Sequence, residues 1–114
     1  MKILIVGSRS ISEFDLTPHI PIEADTIISG GAAGIDTLAE QYADEHGLEK
    51  IIVRPKYSRY RRAAPLKRNE QMVDMADLVL VIWDGASKGT AYTLRYAEKR
   101  GKRVHLIRCD PSPT

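Results

Sequence analysis

Five short runs of apolar residues, separated by polar and glycine-rich stretches, constrain the fold of this chain more than any other feature. The runs are continuous rather than alternating and are rich in Ile and Val, which is typical of parallel strands covered on both faces. They occupy residues 3–6, 26–28, 51–53, 78–83 and 104–107. The pattern therefore predicts a five-stranded, mostly parallel sheet.

Between the later runs, apolar residues recur at the spacing of an α-helix. The first helix begins near Ile35 and ends before Gly47, because a glycine readily ends a helix. The second begins at Pro65, which suits the first turn of a helix. Its predicted inward stripe is Leu66, Asn69, Val73 and Ala76. The third begins near Thr90 and ends at Gly101, and its predicted inward residues are Ala91, Leu94 and Ala97.

Strands that alternate with helices predict a doubly wound, Rossmann-like α/β fold with right-handed crossovers. We predict the strand order 3-2-1-4-5, a single domain over residues 1–109 and a flexible tail over residues 110–114. Residues 10–25 contain Pro18 and Pro21 and should form at most a short helix.

Composition excludes several classes of protein. With 43% apolar and 28% charged residues, the chain is neither disordered nor fibrous. No apolar run approaches the roughly 20 residues that cross a bilayer. The single cysteine, Cys109, cannot form an internal disulfide, and the three histidines lack metal-ligand spacing. We expect a cytoplasmic protein with no membrane partner, no metal and no cofactor.

Three loops should converge at the carboxyl ends of neighbouring strands, where open α/β sheets bind ligands. The first loop contains Gly7, Ser8 and Arg9. The second contains Ser29, Gly30, Gly31, Ala32, Ala33, Gly34, Ile35 and Asp36. The third contains Asp84, Gly85, Ala86, Ser87, Lys88, Gly89 and Thr90. All three are rich in glycine and short polar residues, and their convergence predicts one binding site.

The second and third loops each lead into a helix, whose unpaired N–H groups and positive end favour a phosphate. Simpler interpretations stay open. Packing helix against strand could be the sole role of the glycines in the second loop. Capping a helix could likewise be the sole role of Ser87 or Thr90. Asp36 could complement the helix dipole, and Asn69 could make a structural hydrogen bond.

Charge is distributed unevenly along the chain. Residues 10–49 contain nine acids and no Lys or Arg, whereas residues 54–69 contain seven Lys or Arg and no acid. The basic residues are Arg54, Lys56, Arg59, Arg61, Arg62, Lys67 and Arg68. This basic segment is either a solvated loop or a contact for phosphate or nucleic acid.

These loops resemble those of the SLOG superfamily. The motif from Ser29 to Asp36 is the most specific element, and Arg68-Asn69 and the stretch from Trp83 to Thr90 match as well. The group includes the Rossmann domain of DNA-processing protein A, the cytokinin-activating phosphoribohydrolases and the YspA/YpsA-related small proteins. The last branch is the most similar, and the resemblance covers nearly the whole chain. It implies a Rossmann-like domain that binds nucleotides or nucleotide-derived ligands.

The resemblance and the loops together give a set of predicted ligand-binding residues. They are Gly7, Ser8, Arg9, Ser29, Gly30, Gly31, Gly34, Asp36, Arg68, Asn69, Gly85, Ser87, Lys88, Gly89 and Thr90. The phosphoribohydrolases carry a catalytic Glu where this chain has Thr93, and a hydroxyl of ordinary pKa cannot replace a carboxylate. The remaining candidate catalytic carboxylates are Asp36 and Asp84.

Three functions are compatible with these features. The chain could be a module that senses, carries or sequesters a nucleotide-derived ligand. It could instead be a hydrolase or transferase that acts at an N-glycosidic or phosphate bond. A third possibility is a single-stranded nucleic-acid binder that uses residues 54–68, with Tyr57 and Tyr60 stacking on bases. Tyr92 and Tyr96, one helical turn apart, could mark a surface for homo-oligomers.

Overall fold

The computed structural model describes residues 1–111 and contains one five-stranded parallel sheet. The strands are β1 (Lys2–Gly7), β2 (Thr26–Ser29), β3 (Glu49–Ile52), β4 (Leu78–Trp83) and β5 (Arg103–Arg108). Their order, β3-β2-β1-β4-β5, confirms the predicted Rossmann-like topology. Of the predicted tail, residues 112–114 lie outside the described residues.

Four α-helices connect the strands. They are α1 (Ile35–Glu45), α2 (Tyr57–Tyr60), α3 (Ala64–Met75) and α4 (Lys88–Lys99). Single 3₁₀ turns occupy Thr17–His19 and Arg61–Ala63. The first agrees with the short helix expected between residues 10 and 25. None of the helices in residues 1–111 combines the length and the apolar character that crossing a bilayer requires.

The central strands are buried on both faces, as their continuous apolar runs predict. Along β1, Ile3 and Ile5 pack with Ile35 and Ala39 of α1 on one face. Leu4 and Val6 point to the other face, where they join a cluster that includes Met72, Val73 and Ala97 of α3 and α4. The sheet thus holds α1 on one side and the α3–α4 pair on the other.

The inward stripe predicted for α3 is wrong at Leu66, which is 36% exposed. The buried positions of α3 are Ala64, Arg68, Met72 and Val73. An arginine takes the inward position because its guanidinium bonds backbone carbonyls, which a hydropathy pattern cannot indicate.

The start and the stripe predicted for α4 also need correction. The helix begins at Lys88 rather than near Thr90, because Ser87 is the residue that caps it. Its buried residues are Thr90, Thr93 and Ala97, whereas Ala91 and Leu94 are only half-buried. Two threonines therefore face inward at the carboxyl edge of the sheet.

Candidate functional site

A cavity of about 400 Å³ opens at the carboxyl end of β1, between the first turns of α1, α3 and α4. It lies where the predicted strand order brings the connections of β1, β2 and β4 together. The lining residues are Val6, Gly7, Arg9, Ser10, Ala32, Asp36, Pro65, Leu66, Arg68, Asn69, Met72, Asp84, Ser87, Gly89, Thr90 and Thr93.

Eight of the predicted ligand-binding residues line this cavity. They are Gly7, Arg9, Asp36, Arg68, Asn69, Ser87, Gly89 and Thr90. Asp84, a candidate catalytic carboxylate, lines it as well, and so does Thr93, which the resemblance aligns with a catalytic Glu that it cannot replace. The three loops and the first turn of α3 are therefore brought to one place.

The other seven predicted residues do not line the cavity. They are Ser8, Ser29, Gly30, Gly31, Gly34, Gly85 and Lys88. Ser8 is buried and its hydroxyl accepts a hydrogen bond from the Asp84 N–H at 3.1 Å. Ser29 is also buried; its hydroxyl donates to Glu40 at 2.8 Å and accepts from the Gly31 N–H at 3.2 Å. Ser8 and Ser29 therefore hold the loops in place.

The space beside Gly30, Gly31 and Gly85 is occupied by guanidinium groups. A side chain at Gly31 would meet Arg54 at 2.7 Å, and one at Gly30 would meet Arg68 at 2.6 Å. At Gly85 the neighbour is Arg108. Substituting Gly31 would therefore disturb the contact with Arg54 rather than fill the cavity.

Sequence reasoning missed six lining residues: Val6, Ser10, Ala32, Pro65, Leu66 and Met72. A signal for part of this set was present in α3. Pro65, Arg68, Asn69 and Met72 are spaced as i, i+3, i+4 and i+7, which places them on one helical face. Assigning the helical face that contains Arg68, rather than the most apolar face, to the site would have identified these residues as the α3 wall of the cavity.

Arg68 ties α3 to the ends of two strands. Its Nη1 donates to the Gly30 carbonyl at 2.7 Å and to the Val53 carbonyl at 3.3 Å, just beyond β2 and β3. Its Nε donates to Asn69 Oδ1 at 2.7 Å. Burial lowers the pKa of the guanidinium, and the nearby Asp36 opposes that change. Arginine stays ionised in proteins, so the group is a fixed cation in the cavity wall.

Asp36 is a buried carboxylate, 8% exposed, in the first turn of α1. Its Oδ2 accepts a hydrogen bond from the Ala32 N–H at 3.1 Å, so it braces the loop that precedes its own helix. Burial raises the pKa of Asp36 despite that hydrogen bond and the neighbouring Arg68. The site therefore holds a carboxyl group that gains a proton more readily than an exposed aspartate.

Asp84 has the opposite character. Its Oδ1 accepts from the N–H groups of Ala86 and Ser87, both at 2.8 Å, and its Oδ2 accepts from the Ser10 hydroxyl at 2.7 Å. These hydrogen bonds lower the pKa of Asp84 well below its usual range. The carboxylate stays ionised and links the loops that follow β1 and β4.

The N-terminus of α4 is capped by Ser87, whose hydroxyl accepts from the Thr90 N–H at 3.4 Å. The Ser87 carbonyl in turn accepts from the Trp83 indole N–H at 3.0 Å. Thr93 donates its hydroxyl proton to the Gly89 carbonyl at 2.9 Å. Ser87 therefore caps α4 and also lines the cavity.

Gly34 immediately precedes α1, and no side chain caps the N-terminus of that helix. Gly34 has a φ of 74°, and a side chain there would come within 2.7 Å of the Arg9 backbone. This close approach brings the loop that carries Arg9 to the positive end of α1. The Arg9 side chain itself is exposed and lines the cavity.

The basic segment, residues 54–69, lies mainly outside the cavity. Of its seven cations only Arg68 is a lining residue. Tyr57 is 59% exposed, and the Arg59 guanidinium lies 5.2 Å from the centre of the Tyr60 ring. The segment forms α2, the 3₁₀ turn at Arg61–Ala63 and the first half of α3, and only its α3 part contributes lining residues.

The hydroxyl groups of Tyr92 and Tyr96 make hydrogen bonds within the chain. Tyr92 donates a hydrogen bond to Glu70, and Tyr96 donates to Asp74 at 3.1 Å. Both bonds clamp α4 to α3. Within residues 1–111, no group of three or more His, Cys, Asp or Glu side chains is arranged to hold a metal ion.

Comparison with known proteins identifies the fold. The chain resembles the X-ray structure of DNA processing protein A (DprA) from Streptococcus pneumoniae, with a TM-score of 0.72 and 23% sequence identity. The match covers 96% of this chain and 50% of that chain, so this chain spans half the length of the DprA chain. No protein-family model and no curated protein matches it. The shared feature is the Rossmann-like fold, and membership of the SLOG superfamily stays a prediction.

Proposed function

We propose that this protein binds a nucleotide or a nucleotide-derived ligand in the cavity at the carboxyl end of β1. It would act as a sensor, carrier or sequestering module. The observation that carries the proposal is the convergence, on one cavity of about 400 Å³, of Arg9 and Arg68 with the first turns of α1 and α4. Cations and helix N-termini favour a phosphoryl group.

The shape of the cavity also suits a nucleotide. Pro65, Leu66 and Met72 supply an apolar wall on α3, while the cations lie toward the loops after β1 and β2. Small-molecule sites commonly combine an apolar lining with a few placed polar groups, within volumes of roughly 300–1,000 Å³. A base or ribose would pack on the α3 wall, and the phosphate would meet the cations.

An Arg9→Gln variant tests the proposal with adenosine monophosphate as the probe. Arg9 is exposed, so its loss should leave the fold intact. A hydrogen bond to a charged group contributes about 1.5–3 kcal/mol, so we expect roughly ten- to a hundredfold weaker binding by calorimetric titration. The control is Arg95→Gln, an exposed position on α4 that does not line the cavity.

A triple variant that neutralises Arg59, Arg61 and Arg62 separates this cavity from the basic segment. It should change the affinity for adenosine monophosphate much less than Arg9→Gln does. The DprA name refers to DNA processing, so single-stranded DNA is a second probe. Loss of both ligands in the triple variant alone would move the binding site to the basic segment.

Asp36 supports a second candidate, a nucleotide N-glycosidase. It is a buried carboxyl group of raised pKa that lines the cavity, the kind of group that serves as a general acid or base. Asp84 is a poor proton acceptor because three donors already hold it ionised.

A binding module should release no adenine from adenosine monophosphate in an overnight incubation followed by chromatography. General acid–base participation is worth about 10²–10⁴-fold in rate, so Asp36→Asn would abolish any release that depends on this carboxyl group. Clear release by the natural protein that disappears in Asp36→Asn would establish the glycosidase instead.

A further inference from the structure

The orientation of the Asn69 side-chain amide is fixed by its neighbour. Arg68 Nε lies 2.7 Å from Asn69 Oδ1. A guanidinium only donates hydrogen bonds, so the atom it contacts must be the amide oxygen. The amide nitrogen, Nδ2, therefore faces away from Arg68 with two N–H donors.

These two donors are available to a ligand. Among residues 1–111 no partner accepts a hydrogen bond from Asn69 Nδ2. In the same residues, every fully buried side-chain nitrogen or oxygen has a partner. Nδ2 must therefore be accessible, and the cavity is the open space that Asn69 lines.

Several of the side-chain acceptors around the cavity are already engaged, although Asp36 uses only its Oδ2, which accepts from the Ala32 N–H. Asp84 accepts three hydrogen bonds, and the hydroxyls of Ser87 and Thr90 bond each other at 3.0 Å. Arg9 and Arg68 offer donors only. A ligand group that meets the Asn69 amide must supply acceptors, and a phosphoryl group supplies them together with a charge opposite to that of the adjacent Arg68.

We infer that Asn69 determines specificity, and that its oriented amide makes the cavity select phosphorylated nucleosides over unphosphorylated ones. The inference rests on the proposed nucleotide-binding function. It goes further by assigning the phosphoryl group to Asn69 Nδ2 beside Arg68, rather than to the cations and helix N-termini alone.

Asn69→Asp tests this assignment with almost no change in shape. The new carboxylate keeps an acceptor for Arg68 Nε, so the melting temperature should be unchanged or higher. The second carboxylate oxygen takes the position of Nδ2, so a negative charge faces the negatively charged phosphoryl group of the ligand. We expect the affinity for adenosine monophosphate to fall at least about 30-fold, because a charged hydrogen bond is replaced by repulsion.

Adenosine without phosphate is the second probe in the same titrations. Its affinity should change no more than about threefold in Asn69→Asp, because it brings no anion to the site. The ratio of the two affinities therefore collapses, which a merely structural role of Asn69 would not produce. Gln71→Glu is the matched control, since it adds the same charge to α3 at a position that does not line the cavity.

The possible outcomes are distinguishable. Selective loss of adenosine monophosphate in Asn69→Asp, with Gln71→Glu like the natural protein, supports the inference. If the natural protein binds the monophosphate and Asn69→Asp binds it equally well, or loses both probes alike, the inference is wrong and the proposed function stands. If the natural protein binds neither probe, both are wrong.

Discussion

Replacing Arg68 by alanine should lower the free energy of unfolding by about 3 kcal/mol and abolish nucleotide binding. The Gly30 carbonyl is buried and loses its 2.7 Å donor, and the Val53 carbonyl loses its longer one. A buried acceptor that loses its donor costs about 1–3 kcal/mol, and two carbonyls lose a donor here. Denaturant unfolding would measure the loss.

Two further variants identify the cause. Lys67→Ala removes an exposed cation from the preceding position of α3. The ion pair between Lys67 and Glu70 is 3.7 Å long, so this variant should lose less than about 1 kcal/mol of unfolding free energy. Asp36→Asn in the Arg68→Ala background should recover part of the stability, because it removes a buried carboxylate that Arg68 no longer compensates. Equal losses in Lys67→Ala and Arg68→Ala would contradict the structural role assigned to Arg68.

Replacing Gly7 by alanine should be almost as damaging. A Cβ at Gly7 would lie 2.5 Å from Ile35 Cγ1 and 2.7 Å from the Ile82 carbonyl oxygen. Ile35 is fully buried, and the second neighbour is backbone of β4, so neither can move freely. Overpacking of this kind costs about 1–3 kcal/mol and occasionally more, and we expect a value near the upper end.

Gly89→Ala is the matched comparison at the same cavity. A Cβ there meets no atom within 4 Å, and the residue lies in the first turn of α4. Alanine is the better helix former by about 1 kcal/mol, so stability should not fall. If thermal unfolding shows that both alanine variants lose stability equally, close packing is not the reason for glycine at position 7.

The sheet was largely predictable because the runs in β1 and β4 are long, apolar and central. The edge strands were harder to delimit. β3 begins at Glu49, two residues before its apolar run, and β5 begins and ends with Arg103 and Arg108. Edge strands are partly exposed and carry polar residues, so hydropathy identifies the centre of such a strand better than its ends.

The position of the cavity was predictable from the sequence, but its detailed lining was not. The rule that ligands bind beyond the carboxyl ends of parallel strands predicted that the three loops meet, and residues of all three line one cavity. Which loop residues face the cavity depends on contacts that are distant in sequence. Arg68 reaches Gly30 across 38 residues, and Ser8 meets Asp84 across 76. A hydropathy pattern does not indicate contacts between residues that are distant in sequence, so Ser8 and Asp84 could not be recognised as structural partners.

Native mass spectrometry of the freshly purified protein, alone and after addition of adenosine monophosphate, tests nucleotide binding most directly. We expect one added mass per chain, either a co-purified nucleotide derivative or the added monophosphate, and we expect Arg9→Gln to lose it. The proposed function would be contradicted if the natural protein shows no added mass under either condition, at nucleotide concentrations up to about 1 mM. A dissociation constant of about 1 mM corresponds to a binding free energy of only about −4 kcal/mol.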